Sequence, residues 1–206
     1  MRELGRVPYA EALALQEELR ESRLAGRVPD TVLLLEHPHV VTLGRSTRDT
    51  SLPSGEVGLR AAGFEVARVS RGGDATYHGP GQLVGYPIVD LSQRNPDVHL
   101  YLRLLEQVLI DTLSDFGIHG ERREGYTGVW VDEQRKIASI GIGLRRWVTL
   151  HGFALNVACD LSRFGAIVPC GLAGVEMVDM RGVLGREVDL ASVRERVTAH
   201  LRKAFP

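Results

Sequence analysis

The sequence predicts an α+β fold: a single domain over residues 1–206 with a mixed, mainly antiparallel sheet flanked by helices. Three observations carry this. Apolar residues recur at helical spacing near both ends and once in the middle. Strand-like runs follow one another between these helices instead of alternating with them. No repeat, low-complexity tract or linker divides the chain.

Taken in order, residues 9–25 carry Leu13, Leu15, Leu19 and Leu24 with charges between them and Gly26 as a stop, which predicts a helix. Thr31–Leu35 and Val40–Leu43 are short apolar runs joined by His37-Pro38 and read as a strand pair. Phe64–Ser70 alternates and leads into a glycine-rich loop. Leu83–Asp90 is a strand whose Pro87 suggests an edge or a bulge. The clearest helix is His99–Phe116, with Leu102, Leu105, Val108, Leu109, Leu113 and Phe116 on one face and Gly117 at its end. Gly128–Val131 and Lys136–Leu144 flank the polar turn Asp132-Glu133-Gln134-Arg135, a hairpin signal, and Trp147–Val157 continues the strands. Residues 158–188 read as irregular. Asp189 caps a last helix over Leu190–Ala204, with Val193, Val197 and Leu201 in register.

Composition narrows the function. Hydrophobic residues make up 44% and charged residues 25%, the balance of a globular protein that builds a core. A formal net charge of −1 argues against nucleic-acid binding. Met1-Arg-Glu-Leu-Gly lacks the apolar stretch of a signal peptide, and two cysteines make no disulfide scaffold, so a cytoplasmic setting is expected. Of 25 Lys and Arg residues, only Lys136 and Lys203 are lysine. Lysine, unlike arginine, gives up its proton when desolvated, so a lysine kept in mid-chain invites a chemical explanation.

Four constellations stand out. The first is Arg71-Gly-Gly-Asp-Ala-Thr-Tyr-His-Gly-Pro-Gly-Gln82. Its glycines allow a ligand to approach the main chain, and their spacing matches neither a P-loop nor a dinucleotide fingerprint. A tight turn needs none of Arg71, Thr76, His78 and Gln82, so a substrate-holding loop is the preferred reading. The second is Ile167-Val-Pro-Cys170-Gly171, where Gly171 leaves the sulfur accessible and its own N–H available to an oxyanion. Nucleophile and structural thiol both stay open for Cys170, whereas Cys159 reads as a packed thiol. The third is Lys136-Ile-Ala-Ser139-Ile140-Gly141, in which an inward-pointing lysine could take a thiol proton; a surface lysine beside Arg135 is the alternative. The fourth, His151-Gly152-Phe153-Ala154-Leu-Asn156, places His151 and Phe153 on one strand face and suits a core or supporting histidine. His37-Pro-His39 is too short for a metal site, so no metal is expected. Arg122-Arg123 and Arg145-Arg146 read as solvated faces, or as a surface for an acidic partner.

These motifs, in this order from about residue 8 to the C-terminus, resemble the octanoyl-[acyl carrier protein]:protein N-octanoyltransferases, the lipoyl(octanoyl) transferases of the LipB type. The resemblance implies the catalytic-core fold of biotin and lipoate protein ligases. It also implies a two-step acyl transfer without cofactor, from octanoyl-acyl carrier protein to a lysine of lipoyl domains in 2-oxoacid dehydrogenases and of the glycine cleavage H protein. Cys170 would carry the acyl group as a thioester, and Lys136 would act as acid and base. Arg71, Gly72, Gly73, Asp74, Ala75, Thr76, Tyr77 and His78, with Ser139, Ile140, Gly141, Gly152, Phe153 and Ala154, would hold the substrate. His151, Asn156 and Gly171 would support them. The rival on the same fold is an ATP-dependent lipoate or biotin ligase, which has no use for a cysteine nucleophile.

Overall fold

A computed structural model describes residues 1–168 and 174–206. Its larger sheet runs in the order β1 (Arg2–Arg6), β2 (Thr31–Glu36), β6 (Gln82–Ile88), β10 (Val148–Asn156), β9 (Arg135–Arg145), β8 (Tyr126–Trp130) and β7 (Glu121–Arg123). Among the described residues of this sheet, β1 with β2, and the short β11 (Glu176–Met177) with β9, pair in parallel and the other pairs are antiparallel. A second sheet, not foreseen from the sequence, orders β4 (Glu65–Arg68), β3 (Val40–Leu43) and β5 (Thr76–His78). The glycine-rich loop connects β4 to β5.

Alternation along the strands explains the layers. On β2, Leu33 and Leu35 face α1 (Tyr9–Leu24), packing with Ala12 and Leu19. Val32 and Leu34 point the other way, toward α3 (Val98–Asp115) and α5 (Leu190–Ala204), among Leu105, Leu109, Val193 and Leu201. The two long strand-face helices start on aspartate caps. Asp97 accepts from the N–H groups of His99 and Leu100, and Asp189 from those of Ala191 and Ser192. α2 (Gly55–Ala61) and a 3-10 turn at Leu161–Ala166 cover the small sheet through Leu59 and Phe164.

Three expectations change. The runs at 31–35 and 40–43 are not a strand pair but belong to different sheets: every residue of Thr31–Leu35 is buried, and β2 sits between β1 and β6. His37-Pro38-His39 supplies no residue suited to positive φ for a tight hairpin, and buried His37 bonds instead to the Val7 carbonyl and Tyr86. Pro87 lies inside the sheet, opposite Val32, not at an edge. The ladder of β6 with β10 covers Gln82–Gly85 and stops short of Pro87. Beyond it the Thr149 hydroxyl donates to the Pro87 carbonyl and accepts from the Val89 N–H. The segment 158–188, read as irregular, contains the 3-10 turn, β11 and α4 (Met180–Leu184).

Candidate active site

Between the two sheets lies a cavity of about 400 Å³, closed on one side by Val98 and Leu102 of α3. The small sheet supplies its first wall. In β5, Thr76 and His78 face the cavity, while Tyr77 points into the small core, its ring edge-on to Phe64 and Phe164 and its hydroxyl 2.8 Å from His39 Nδ1. Tyr77 is therefore the one expected substrate-holding residue that does not border the cavity; the alternation of a strand puts it behind its neighbours. Gly72 N–H donates to the Ile142 carbonyl at 2.8 Å and stitches the loop to β9. Buried Arg71 spends its guanidinium on the Thr42 carbonyl (2.7 Å), the Thr42 hydroxyl and the Gly72 carbonyl. Asp74 accepts from Ala75 N–H and from the Ser51 hydroxyl.

A buried hydrogen-bond chain fixes the state of His78. Asn156 Nδ2 donates to the Val178 carbonyl (3.0 Å), so its Oδ1 receives Gln82 Nε2 (2.9 Å), which leaves Gln82 Oε1 to accept from His78 Nδ1–H (2.8 Å). The network assigns the tautomer. Burial, aided by neighbouring His37, pulls the His78 pKa down to about 3. The ring is neutral, and its Nε2 keeps a lone pair. Asn156 thus supports the site from behind without lining it. His151 is also neutral, pulled down to about 3 by burial and by Arg71. Its backbone is left-handed, with φ +61°, and its N–H turns to Gln16 Oε1 of α1 at 2.9 Å. That conformation costs a non-glycine residue about 1–2 kcal/mol, and the buried Gln16 hydrogen bond offsets part of it.

The second wall comes from β8 and β9. Lys136 sits where β9 pairs with β8 through Trp130 on one side and with β11 through Met177 on the other. It is 3% exposed, so the inward reading of this lysine holds and the surface one does not. Its Nζ donates to the Thr127 carbonyl at 3.0 Å and lies 5.3 Å from the centre of the Trp130 ring. Gly128, at φ +128°, is required here: a Cβ would fall 2.6 Å from Lys136 Cε and 2.5 Å from the Ala138 carbonyl oxygen. Ser139, Ile140 and Gly141 continue this wall, and Gly152, Phe153 and Ala154 of β10 complete it. Among the described residues, three cations (Arg45, Arg71, Lys136) and one carboxylate (Asp74) border the cavity. Pro169, Cys170 and Gly171 lie outside the described residues. Cys159 is buried, and burial together with Asp179 pushes its thiol up to about 12, which makes it an inert packed thiol.

Sequence reasoning missed Tyr9, Arg45, Tyr86 and Thr127 among the lining residues. Arg122 and Arg123, expected on a solvated face, keep partly exposed side chains there and also make contacts inward. Arg122 pairs with buried Glu106, and Arg123 stacks 4.6 Å from the Tyr126 ring centre and 5.0 Å from that of Trp130.

Comparison with known proteins agrees with this geometry. The lipoyl protein ligase A/B catalytic domain matches residues 8–202. The octanoyltransferase of Solibacter usitatus is 54% identical over 205 residues, covering 100% of this chain and 92% of the relative. That of Syntrophotalea carbinolica is 52% identical, covering 98% and 92%. Among solved structures, a putative lipoate protein ligase from Thermoplasma acidophilum superposes with a TM-score of 0.75 at 16% identity, covering 98% of this chain and 84% of its own. The Aquifex aeolicus biotin protein ligase in complex with biotin and ATP gives 0.55 at 15%, covering 98% and 70%. The solved structures establish the fold and the curated relatives the kind of enzyme: the chain belongs to the lipoyl protein ligase A/B catalytic domain family and, within it, to the octanoyltransferases, which are acyltransferases.

Proposed function

We propose that this protein transfers an octanoyl group from the phosphopantetheine thioester of acyl carrier protein to the ε-amine of a lysine on a lipoyl domain. The observation that carries the reading is a buried lysine, Lys136, held in the wall of a largely apolar cavity in a chain of the octanoyltransferase family. Lys136 takes the proton of the Cys170 thiol, and the thiolate attacks the thioester carbonyl. The carbon–sulfur bond to phosphopantetheine breaks, and the Lys136 ammonium protonates the departing thiolate. The acceptor amine then attacks the Cys170 thioester. Lys136 receives the proton that the amine sheds and passes it to Cys170 as the amide forms. Thioester to amide runs downhill, so no nucleotide is needed. Leu102, Ile140, Ile142 and Phe153 give the eight-carbon tail apolar surroundings. Acceptors in this reading are the lipoyl domains of 2-oxoacid dehydrogenases and the glycine cleavage H protein.

Mixing the protein with octanoyl-acyl carrier protein, without ATP, followed by intact mass measurement, tests this. A hydroxylamine-labile octanoyl adduct that vanishes in Cys170→Ala supports the transfer. No adduct, with lipoyl-domain modification only on adding ATP and free octanoic acid, replaces it with the ligase reading.

A further inference from the structure

Glu106 lies in the middle of α3 and has a side-chain exposure of 0%, which no lining of the cavity and no helix-forming rule requires. A carboxylate withdrawn from water is costly unless fully paired. Both of its oxygens are used. Oε2 receives Arg103 at 2.6 Å and Arg122 at 3.1 Å. Oε1 receives the backbone N–H of Gly128 at 3.1 Å. That N–H belongs to the same peptide group as the Thr127 carbonyl, and in a trans peptide the two point in opposite directions. The carbonyl therefore points away from Glu106, and it is this oxygen that accepts from Lys136 Nζ at 3.0 Å.

One rigid peptide plane thus connects a buried carboxylate to the amine in the cavity wall. A negative charge on the N–H side polarises the plane and strengthens its carbonyl as an acceptor. Gly128 keeps the plane close: the Lys136 stem crosses the position that any Cβ there would occupy. We infer that Glu106 is a positioning residue for Lys136, acting through the Thr127–Gly128 peptide to hold the amine where the transferred protons pass. This rests on the proposed role of Lys136 in acyl transfer. Arg103 and Arg122, each partly exposed, neutralise the carboxylate from outside.

The test reads the chemistry at Cys170 directly. The rate of iodoacetamide alkylation at the Cys170 peptide is followed by mass spectrometry from pH 6 to pH 10 (roughly the range over which thiols ionise) in the parent, Glu106→Gln, Lys136→Met and the double variant. Loss of a charge-assisted hydrogen bond predicts about a tenfold or larger drop in the alkylation rate at neutral pH on Glu106→Gln, with the profile displaced to higher pH. In the Lys136→Met background the same substitution changes the rate by less than about twofold, because nothing is left to position. Should Glu106→Gln fail to fold, Glu106→Asp, which keeps the charge near both arginines and withdraws it from Gly128, must give the same displacement. An unchanged profile, or an equal loss in both backgrounds, overturns the inference and leaves Glu106 a structural ion pair. If instead Lys136→Met itself alkylates and acylates at the parent rate, the acid–base role of Lys136 fails, a different and recognisable result.

Discussion

On one side of the cavity the chain presents mostly main chain and short side chains, locked by hydrogen bonds that never leave the protein. On the other it presents a long cationic side chain, steadied by a carbonyl and an aromatic ring. The glycine-rich wall gains its shape from the stitch of Gly72 to Ile142, the Arg71 fork on Thr42, and the relay from Val178 through Asn156 and Gln82 to His78. Its histidine, His78, is kept neutral by burial. The Lys136 wall is built around a buried amine, and a buried carboxylate stands behind it. The difference teaches a division of labour. One wall is a fixed main-chain shape, and the other carries a buried amine set by a carbonyl, an aromatic ring and the carboxylate behind them.

The largest effect is expected on the second wall. Gly128→Ala puts a methyl group against the Lys136 stem and the Ala138 carbonyl, at a φ that alanine avoids. Strain of this kind costs on the order of 1–3 kcal/mol of stability. Displacing Lys136 by even a fraction of its reach predicts about a hundredfold slower acylation of the enzyme by octanoyl-acyl carrier protein. Single-turnover mass measurement beside a urea melt separates the two effects. Lys136→Arg is the companion case: it keeps the charge but does not cycle a proton, so acylation falls sharply while the melt stays close to the parent. Near-parent acylation in either variant would remove the distinction between the walls.

The buried histidines on and around the first wall make their own prediction in acid. His37, His78 and His151 have folded pKa values lowered to about 4, 3 and 3, chiefly by burial, from 6.5. Between those values the unfolded chain binds protons that the folded chain refuses, so these groups favour folding fully only above pH 6.5. Their contribution is lost as pH falls toward the folded values. Each histidine adds a slope of about 1.4 kcal/mol per pH unit once its unfolded form is protonated. Urea melts between pH 7 and pH 4 should show this loss (roughly the window those pKa values define), and His78→Gln should lower the slope by one proton. A flat profile would mean that the histidines take up protons in the folded state. Asn156→Leu attacks the same wall from behind. It strands the Val178 carbonyl and frees the Gln82 amide to turn, at about 1–3 kcal/mol, with a smaller loss of acylation than Gly128→Ala.

The two walls were also unequally legible in the sequence. Residues 71–82 announced themselves because glycine, proline and histidine crowd where a plain turn needs none of them, and all of Arg71–His78 except Tyr77 border the cavity. Lys136 stood out against an arginine-rich background. The helices were read nearly to their ends, since their apolar periodicity and aspartate caps are local. What stayed hidden depends on distant partners. β2 and β3 separate into two sheets because of how both faces of β2 are covered. Glu106 looked like any helical glutamate until Arg122 and Gly128, 16 and 22 positions away, folded onto it.

The smallest predicted effect sharpens the comparison most cheaply. Arg123 stacks on Tyr126 and Trp130, and Lys136, which borders the cavity, lies 5.3 Å from the centre of the same Trp130 ring. Both are cations within stacking distance of one indole, yet only Lys136 is almost fully buried. A partly solvated stacking of this kind contributes about 0.5–1 kcal/mol. Arg123→Met keeps the apolar cover of the ring and removes the charge. It should lower the urea midpoint by that small amount and leave acylation within about twofold of the parent, since the Glu106 contact to Gly128 is untouched. If Arg123→Met instead slows acylation as much as Glu106→Gln slows alkylation at Cys170, then the lysine is steadied through the aromatic stack and not through the peptide plane. The second wall would then be held from solvent inward, and its resemblance to the first, where every support is internal, would end there.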